Sequence, residues 1–197
     1  DDLSGYTMAF PGAAFGQMQT NMAATLNIDW VLGLARDVLA AEGVERETSD
    51  LLSGLDEHVM AARPGAAIYH PYILQAGERG PFAEPDARAS FTGLDQTAGW
   101  DDLVRSVYDG RALSARDCYT SMCDLPSEIR ITGGAARSKA IRTILASALN
   151  RPVRSVEVEE AGAAGAAMIA ATAQGIFADI GAAAEAWVAP HLGGTTG

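Results

Sequence analysis

Two adjacent glycines stand where a strand gives way to a helix in RITGGAARSKAIRTILASALNRPV, Arg130 to Val153. Ile129 to Thr132 favour a strand. After the glycines, Ile141, Ile144, Leu145, Ala148 and Leu149 recur at helical spacing. Gly133 and Gly134 let backbone N–H groups approach a ligand that a side chain would block. The helix N-terminus beyond them adds orphan donors and a partial positive charge, which suits a phosphate. A strand-to-helix turn also favours glycine for its own sake, so the pair alone leaves both readings open.

Other chemistries are poorly served. Cys118 and Cys123, in CYTSMC, do not have zinc-ligand spacing and read as reduced thiols of a cytoplasmic protein. His58, His70 and His191 are scattered, without a metal-binding pair. A net charge of -11 argues against a partner with a phosphate backbone, and no nucleic acid is expected. One or two local cations with backbone dipoles remain enough for a small anion. Ala161 to Ala178 is uncharged, but its Ala and Gly content reads as a tightly packed helix, not a membrane span, and no membrane partner is expected. No signal peptide is recognised, and the start at Asp1 reads as that of a fragment or processed product.

The elements that must carry the glycine turn alternate. Gly5 to Phe10 reads as a strand stopped by Pro11-Gly12. Leu26, Trp30, Leu34 and Val38 predict a helix ending before Gly43, and Leu51, Leu52, Leu55, Val59 and Met60 predict a second one. AAIYHPYIL reads as a strand that enters the long loop QAGERGPFAEPDARASFTGL. A helix follows with Leu103, Val104, Val107, Tyr108 and Leu113, its first turn carrying Asp101 and Asp102. Beyond the glycine turn come a strand at Val153–Val158, a small-residue helix introduced by Glu159 and Glu160, and a last helix near Ile180 to Val188. The Gly/Thr tail is expected to fray. This order implies an α/β layered domain with a partly parallel sheet.

Three segments together resemble the C-terminal domain of the FGGY carbohydrate kinases. PYILQAGERGPFAEPDARASFTGL is similar to the proline-bearing Gly-Glu-Arg-x-Pro loop, and DLVRSVYDG to the Arg-containing helix that follows it. ITGGAARSKAIRTILASALNRPV with EEAGAAGAAMIAA resembles the nucleotide-side signature. The resemblance spans almost the whole chain. It implies an actin-like, ribonuclease-H-like α/β fold with a mixed sheet flanked by helices. Residues 1–197 would be the C-terminal nucleotide-binding domain of a two-domain kinase whose N-terminal domain lies outside this chain. The implied activity is ATP-dependent phosphorylation of a small sugar or polyol in the cytoplasm, with Mg²⁺. FPGAAFGQMQTNMAATLNIDWVL and TGGAARS look nearest to the erythritol and polyol kinases of the family.

The resemblance puts Gly133, Gly134, Ala135 and Ser138 beside the nucleotide. Through TLNIDWVL it adds Thr25 and Asp29, with Trp30 structural. Ala135 replaces a usual third glycine, Thr25 a common Gly, and Asp109 a usual Glu. The family's catalytic base, an Asp, belongs to the other domain, so no catalytic residue is named here; Asp29, Glu78, Asp86 and Asp109 fit nucleotide, loop or helix roles. Glu78 and Arg79 are expected to pin their loop, by pairing with each other or with Arg88, and Arg105 to serve as a structural ion-pair partner. Such kinases also form homo-oligomers. The rival reading is a non-catalytic actin-like nucleotide-binding module.

Overall fold

Tyr6–Phe10 (β1) pairs antiparallel with Ala14–Met18 (β2), Tyr6 opposite Met18 and Phe10 opposite Ala14. The expected strand is therefore one arm of a hairpin whose second arm, rich in Gly and Gln, carries no strand signal. The computed structural model describes residues 5–12, 14–122, 124–158 and 160–197. Asp1, Cys123 and Glu159 lie outside the described residues. The chain forms two units: Gln19–Asp124, and Gly5–Met18 together with Leu125–Gly197.

In the first unit, Leu26–Ala41 (α1) is followed by Thr48–Leu52 (α2) and Leu55–Ala61 (α3). The single second helix that was expected is broken at Gly54, whose φ of 78° is left-handed. The α1 stripe also differs from the expected one. Leu34 and Val38 are exposed, while Asn27, Ile28, Val31 and Leu32 are buried. Apolar residues occupy more than one side of this helix, so periodicity alone does not choose its inner face. Buried Asn27 fixes the choice, because it must find polar partners inside.

Ile68–His70 (β3) pairs antiparallel with Ser90–Thr92 (β4), so the long loop between them returns to the sheet it left. Trp100–Thr120 (α4) packs across β3. Gly110 makes that crossing close: a Cβ there would meet the Tyr69 carbonyl carbon at 3.0 Å and its oxygen nearer still. Val59, Val104 and Val107 are fully buried around it, each worth about 1.5–3 kcal/mol of burial. Arg105 is the structural partner that was expected, with Nε 2.8 Å from Asp109 Oδ1 and Nη1 donating to the Val59 carbonyl.

Glu78 pins its loop by another route than the expected ion pair. It is 1% exposed, and its Oε1 accepts from the backbone N–H groups of Met22, Arg79 and Gly80 at 3.1, 2.8 and 3.4 Å. Arg88 instead donates to the carbonyls of Pro85 and Ala87. Three backbone donors converge on this one oxygen, so the loop is held without a guanidinium.

In the second unit, Ile129–Ile131 (β5) and Val153–Val156 (β6) are parallel, and Leu192–Thr196 (β7) adds antiparallel to β6. The tail expected to fray is thus an edge strand. Lys139–Leu149 (α5) connects β5 to β6, and Ala161–Ala173 (α6) and Ile180–Trp187 (α7) follow β6. α6 is not tightly packed within this unit, where Ala171 is its one buried residue. Among the described residues no helix is long and apolar enough to cross a membrane.

Candidate functional site

β5 and β6 run side by side with Ile129 opposite Val153 and Ile131 opposite Ser155, so their C-terminal ends lie together. Ile129 and Val153 are buried against the sheet's cover, to which α5 contributes Ala140, Ile144 and Leu149. Of the residues whose spacing predicts this helix, Ile144 and Leu149 are buried, whereas Ile141, Leu145 and Ala148 are half-buried and Ala140 takes a place on the inner face. The chain then has to leave β5 and turn into α5 within a few residues.

Gly133 makes the turn. Its φ of 76° and ψ of -165° belong to a region that L side chains rarely adopt. A single 3₁₀ turn, Gly134–Arg137, leads to Ser138, the N-cap of α5, whose Oγ accepts from the Ile141 N–H at 3.0 Å. Ser138 thus precedes the helix, and its hydroxyl does what capping serines do. Thr132 Oγ1 donates to the Val156 carbonyl at 3.3 Å and ties the turn to β6.

Between this turn, the end of β6 and strand β7 lies a cavity of about 640 Å³. Gly133 and Gly134 line it; Ala135 and Ser138 do not. A Cβ built on either glycine would meet no protein atom within 4 Å. The glycines therefore clear space that the protein itself leaves unfilled. Arg137 and Arg142 bring positive charge to the wall, and Glu157 brings a carboxylate. Arg142 is tethered, donating to the Ala136 carbonyl through Nη1 and to Thr196 Oγ1 through Nε at 3.4 Å. Arg137 is exposed and has no such tether among the described residues. The arrangement presents donors, cations and hydroxyls around an open volume, which fits an anionic, hydroxyl-bearing small molecule.

Thr25 and Asp29 belong to the first unit, at the start of α1. The Thr25 carbonyl accepts from the N–H groups of Ile28 and Asp29 at 2.8 and 3.2 Å, and its side chain makes no cap hydrogen bond. Asp29 is exposed in the first turn, where a carboxylate complements the helix dipole. Nearby, Arg111 Nε donates to the Ala24 carbonyl at 2.6 Å. Burial lowers the affinity of that guanidinium for its proton, while Tyr108 and Asp29 act in the opposite direction. Trp30 stacks on Tyr69, with ring centroids 6.5 Å apart and planes 15° off parallel, which is a packing role.

The sequence reading did not find Arg137, Arg142, Ser155, Glu157, Thr195 or Thr196. Arg137, four residues past the first glycine, was the legible one, since a cation beside a glycine turn is a natural anion contact. Thr195 and Thr196 sit in a tail with no strand pattern, and they reach the cavity only because β7 pairs with β6.

Residues 5–174 match the model of the FGGY family of carbohydrate kinases, C-terminal domain. The chain is 50% identical over 191 residues to an erythritol kinase of Brucella abortus (strain 2308), covering 96% of this chain and 37% of that protein. It is 29% identical over 173 residues to a xylulose kinase of Staphylococcus xylosus, covering 86% and 34% respectively. Among solved structures, a xylulose kinase from Lactobacillus acidophilus superposes with a TM-score of 0.68 at 24% identity, over 85% of this chain and 33% of that one. The chain spans little more than a third of the length of these relatives. The likeness gives the α/β arrangement its name, the actin-like, ribonuclease-H-like fold. By its match over residues 5–174, the chain belongs to the FGGY family of carbohydrate kinases.

Proposed function

We propose that the protein carrying this chain is an ATP-dependent kinase of a small polyol or sugar, with erythritol its first candidate acceptor. The chain itself supplies the nucleotide-binding half. The observation that carries the reading is the 50% identity, along 96% of the chain, to a protein named erythritol kinase. The open cavity at Gly133 and Gly134 supports it physically, because a nucleotide needs space at a backbone turn that no side chain fills.

In this reaction an acceptor hydroxyl oxygen bonds to the γ-phosphorus of ATP. The bond from that phosphorus to the β,γ-bridging oxygen breaks, ADP leaves, and the hydroxyl proton passes to a carboxylate. That carboxylate, an Asp, is assigned to the N-terminal domain that we propose as this chain's partner. The residues described here bind and orient. Gly133 and Gly134 let the nucleotide lie against the main chain, and Arg137 offers its guanidinium to a phosphate. Ala135 and Ser138 hold the turn and cap α5, while Thr25 and Asp29 form the contribution of α1.

Mg²⁺ neutralises phosphate charge when bound with ATP. Among the described residues there is no group of three or more His, Cys, Asp or Glu that could hold a metal ion, and no residue of this chain is proposed as its ligand. An N-terminal domain as partner is supported by exposed apolar surface in the second unit. Tyr6, Phe10 and Phe15 of the hairpin are more than half exposed, and so is Ile176 beyond α6. Large apolar side chains left exposed on both faces of a hairpin suit a surface that another part of a protein covers. A buried free thiol at Cys118 is compatible with a cytoplasmic setting.

The test is acceptor-dependent ADP release by the uncut protein, with erythritol, glycerol, xylulose, ribulose and gluconate compared. Release that requires erythritol supports the reading and its substrate. Nucleotide binding without acceptor-dependent release would leave the non-catalytic module in its place.

A further inference from the structure

The negative charge of the chain belongs to one of its two units. Residues 19–124 carry 17 Asp and Glu against 8 Arg and no Lys, whereas residues 5–18 and 125–197 together balance 6 acids against 6 bases. Inside the first unit, carboxylates gather at the C-terminal end of α1. Asp37, Glu42, Glu45, Glu47 and Asp50 stand there against Arg36 and Arg46. Arg36 is already taken, with Nη2 2.8 Å from Asp37 Oδ1. Glu42 and Glu45 are exposed, and their carboxylates have neither an ion pair nor a hydrogen bond among the described residues.

The fold by itself favours the opposite charge at this spot. Carbonyl groups at a helix C-terminus carry partial negative charge and attract Lys, Arg or His. The last turn of α1 has no basic residue, and its C-cap is Glu42. The end is otherwise well made. Gly43, at a left-handed φ of 76°, donates to the Ala40 carbonyl at 3.0 Å, and Val44 donates to the Leu39 carbonyl at 2.9 Å. These are the two bonds of a Schellman turn. The carboxylates therefore sit on a fixed corner whose stability they lower.

Val38 and Val44 give the corner an apolar surface. Val38 is 66% exposed, and Leu34, one turn before it, and Val44, just past the helix, are exposed as well. α2 packs beside α1 and ends on exposed Leu52. A lone exposed valine needs no explanation. Apolar side chains fixed among unpaired carboxylates have the make-up of a binding surface, an apolar centre with a charged rim. A second copy of the chain is not the complement, because a two-fold contact would set the same acidic corner against itself. The complement is a segment with Lys or Arg among apolar residues. Its long stems lie on Val38 and Val44 while its cations meet Glu42 and Glu45.

We propose that the C-terminal end of α1 is a docking surface for a basic, amphipathic segment of another protein, gripped by Val38 and Val44 and by the carboxylates of Glu42 and Glu45.

The experiment uses the uncut protein and a fluorescent probe peptide with Lys and Leu at helical spacing, compared with the same peptide carrying Glu in place of Lys. Binding is read by anisotropy. Wild type is expected to bind the Lys peptide, less tightly as salt is raised, and not the Glu peptide. Glu42→Lys with Glu45→Lys should weaken binding about 10-fold. Val38→Ser, which leaves the charge unchanged, should weaken it about 3- to 10-fold. Asp117→Lys with Glu185→Lys makes the same change in net charge at exposed positions on α4 and α7, and should alter affinity by less than about 2-fold. Thermal unfolding gives a second reading: Glu42→Lys should melt no lower than wild type, because lysine suits a helix end. Failure of wild type to bind the Lys peptide overturns the proposal. So does an equal loss in the two charge-reversed proteins, which is diffuse attraction to an acidic chain. Unchanged binding by Val38→Ser, or a lower unfolding midpoint for Glu42→Lys, overturns it as well.

Discussion

The Tyr69 hydroxyl donates to Asn27 Oδ1 at 2.8 Å, and Asn27 Nδ2 donates onward to the Ala23 carbonyl at 2.6 Å. Asn27 is 0% exposed and Tyr69 2%. This relay fastens the first turn of α1 to strand β3, and it decides which side of α1 faces inward. Burial with no compensating charge pushes the Tyr69 phenol up to about 12, so it stays a donor at any working pH.

Asn27→Ala should destabilise the protein by about 1–3 kcal/mol, because the phenol loses its acceptor inside the core. Tyr69→Phe should cost less, since Asn27 keeps its bond to Ala23. A double-mutant cycle read by urea unfolding should give a coupling of about 1 kcal/mol. Strict additivity of the two variants would mean the bond contributes nothing to stability.

Gly110→Ala adds one methyl group where α4 crosses β3. The Tyr69 carbonyl is backbone and cannot swing aside, so the helix has to move. The expected loss is about 1–3 kcal/mol, despite alanine's better helix propensity. A rise in unfolding midpoint would show that the crossing is looser than described.

Glu78 separates charge from shape. Its Oε1 gathers three backbone donors, while Oε2 is buried without a partner among the described residues. Glu78→Gln keeps an acceptor for those donors, whereas Glu78→Ala orphans all of them. Alanine should therefore cost more than glutamine, with a gap of about 1.5–3 kcal/mol. Hydrogen exchange at the Arg79 and Gly80 amides should quicken in Glu78→Ala and stay slow in Glu78→Gln. Equal exchange in the two variants would remove Glu78 from the loop's support.

Asp102 carries a pH prediction. The Arg63 guanidinium 2.8 Å away, helped by the N–H groups of Gly99 and Arg63, holds its carboxyl well below the usual carboxylate range. Since the folded value is depressed, the unfolded chain binds the proton first, and stability rises with pH through that window. The stabilisation is complete above the unfolded pKa of about 3.9 and is lost as the pH falls toward the folded one. The difference in unfolding midpoint between wild type and Asp102→Asn should be constant near neutrality and shrink below about pH 4. A difference that grows on acidification would contradict the ion pair.

Much of the second unit could be read from residue patterns, because β5, the glycine turn and α5 obey local rules: β-branched residues, then glycine, then an apolar stripe. The strand β7 obeys none of them. Leu192 to Thr196 has glycine where a strand prefers bulk, and it becomes a strand only because β6 offers an open edge and Gly193 fits against Ser155. With β7 unread, Thr195 and Thr196 stayed hidden. The face of α1 was misread for a related reason. Leu26, Leu34 and Val38 are as apolar as the residues that do face inward, and the deciding contact, Asn27 to Tyr69, joins residues 42 positions apart. Thr25 and Asp29 came from resemblance, which also chose between the two open readings of Gly133 and Gly134, and the cavity beside the two glycines was not visible in composition or spacing.

The most direct measurement is a crystal structure of the uncut protein grown with ADP and a polyol acceptor. The nucleotide reading predicts density for the nucleoside against Gly133 and Gly134, in the cavity that Arg137, Ser155 and Glu157 also line. A nucleotide bound elsewhere, with that cavity filled only by water, would contradict it.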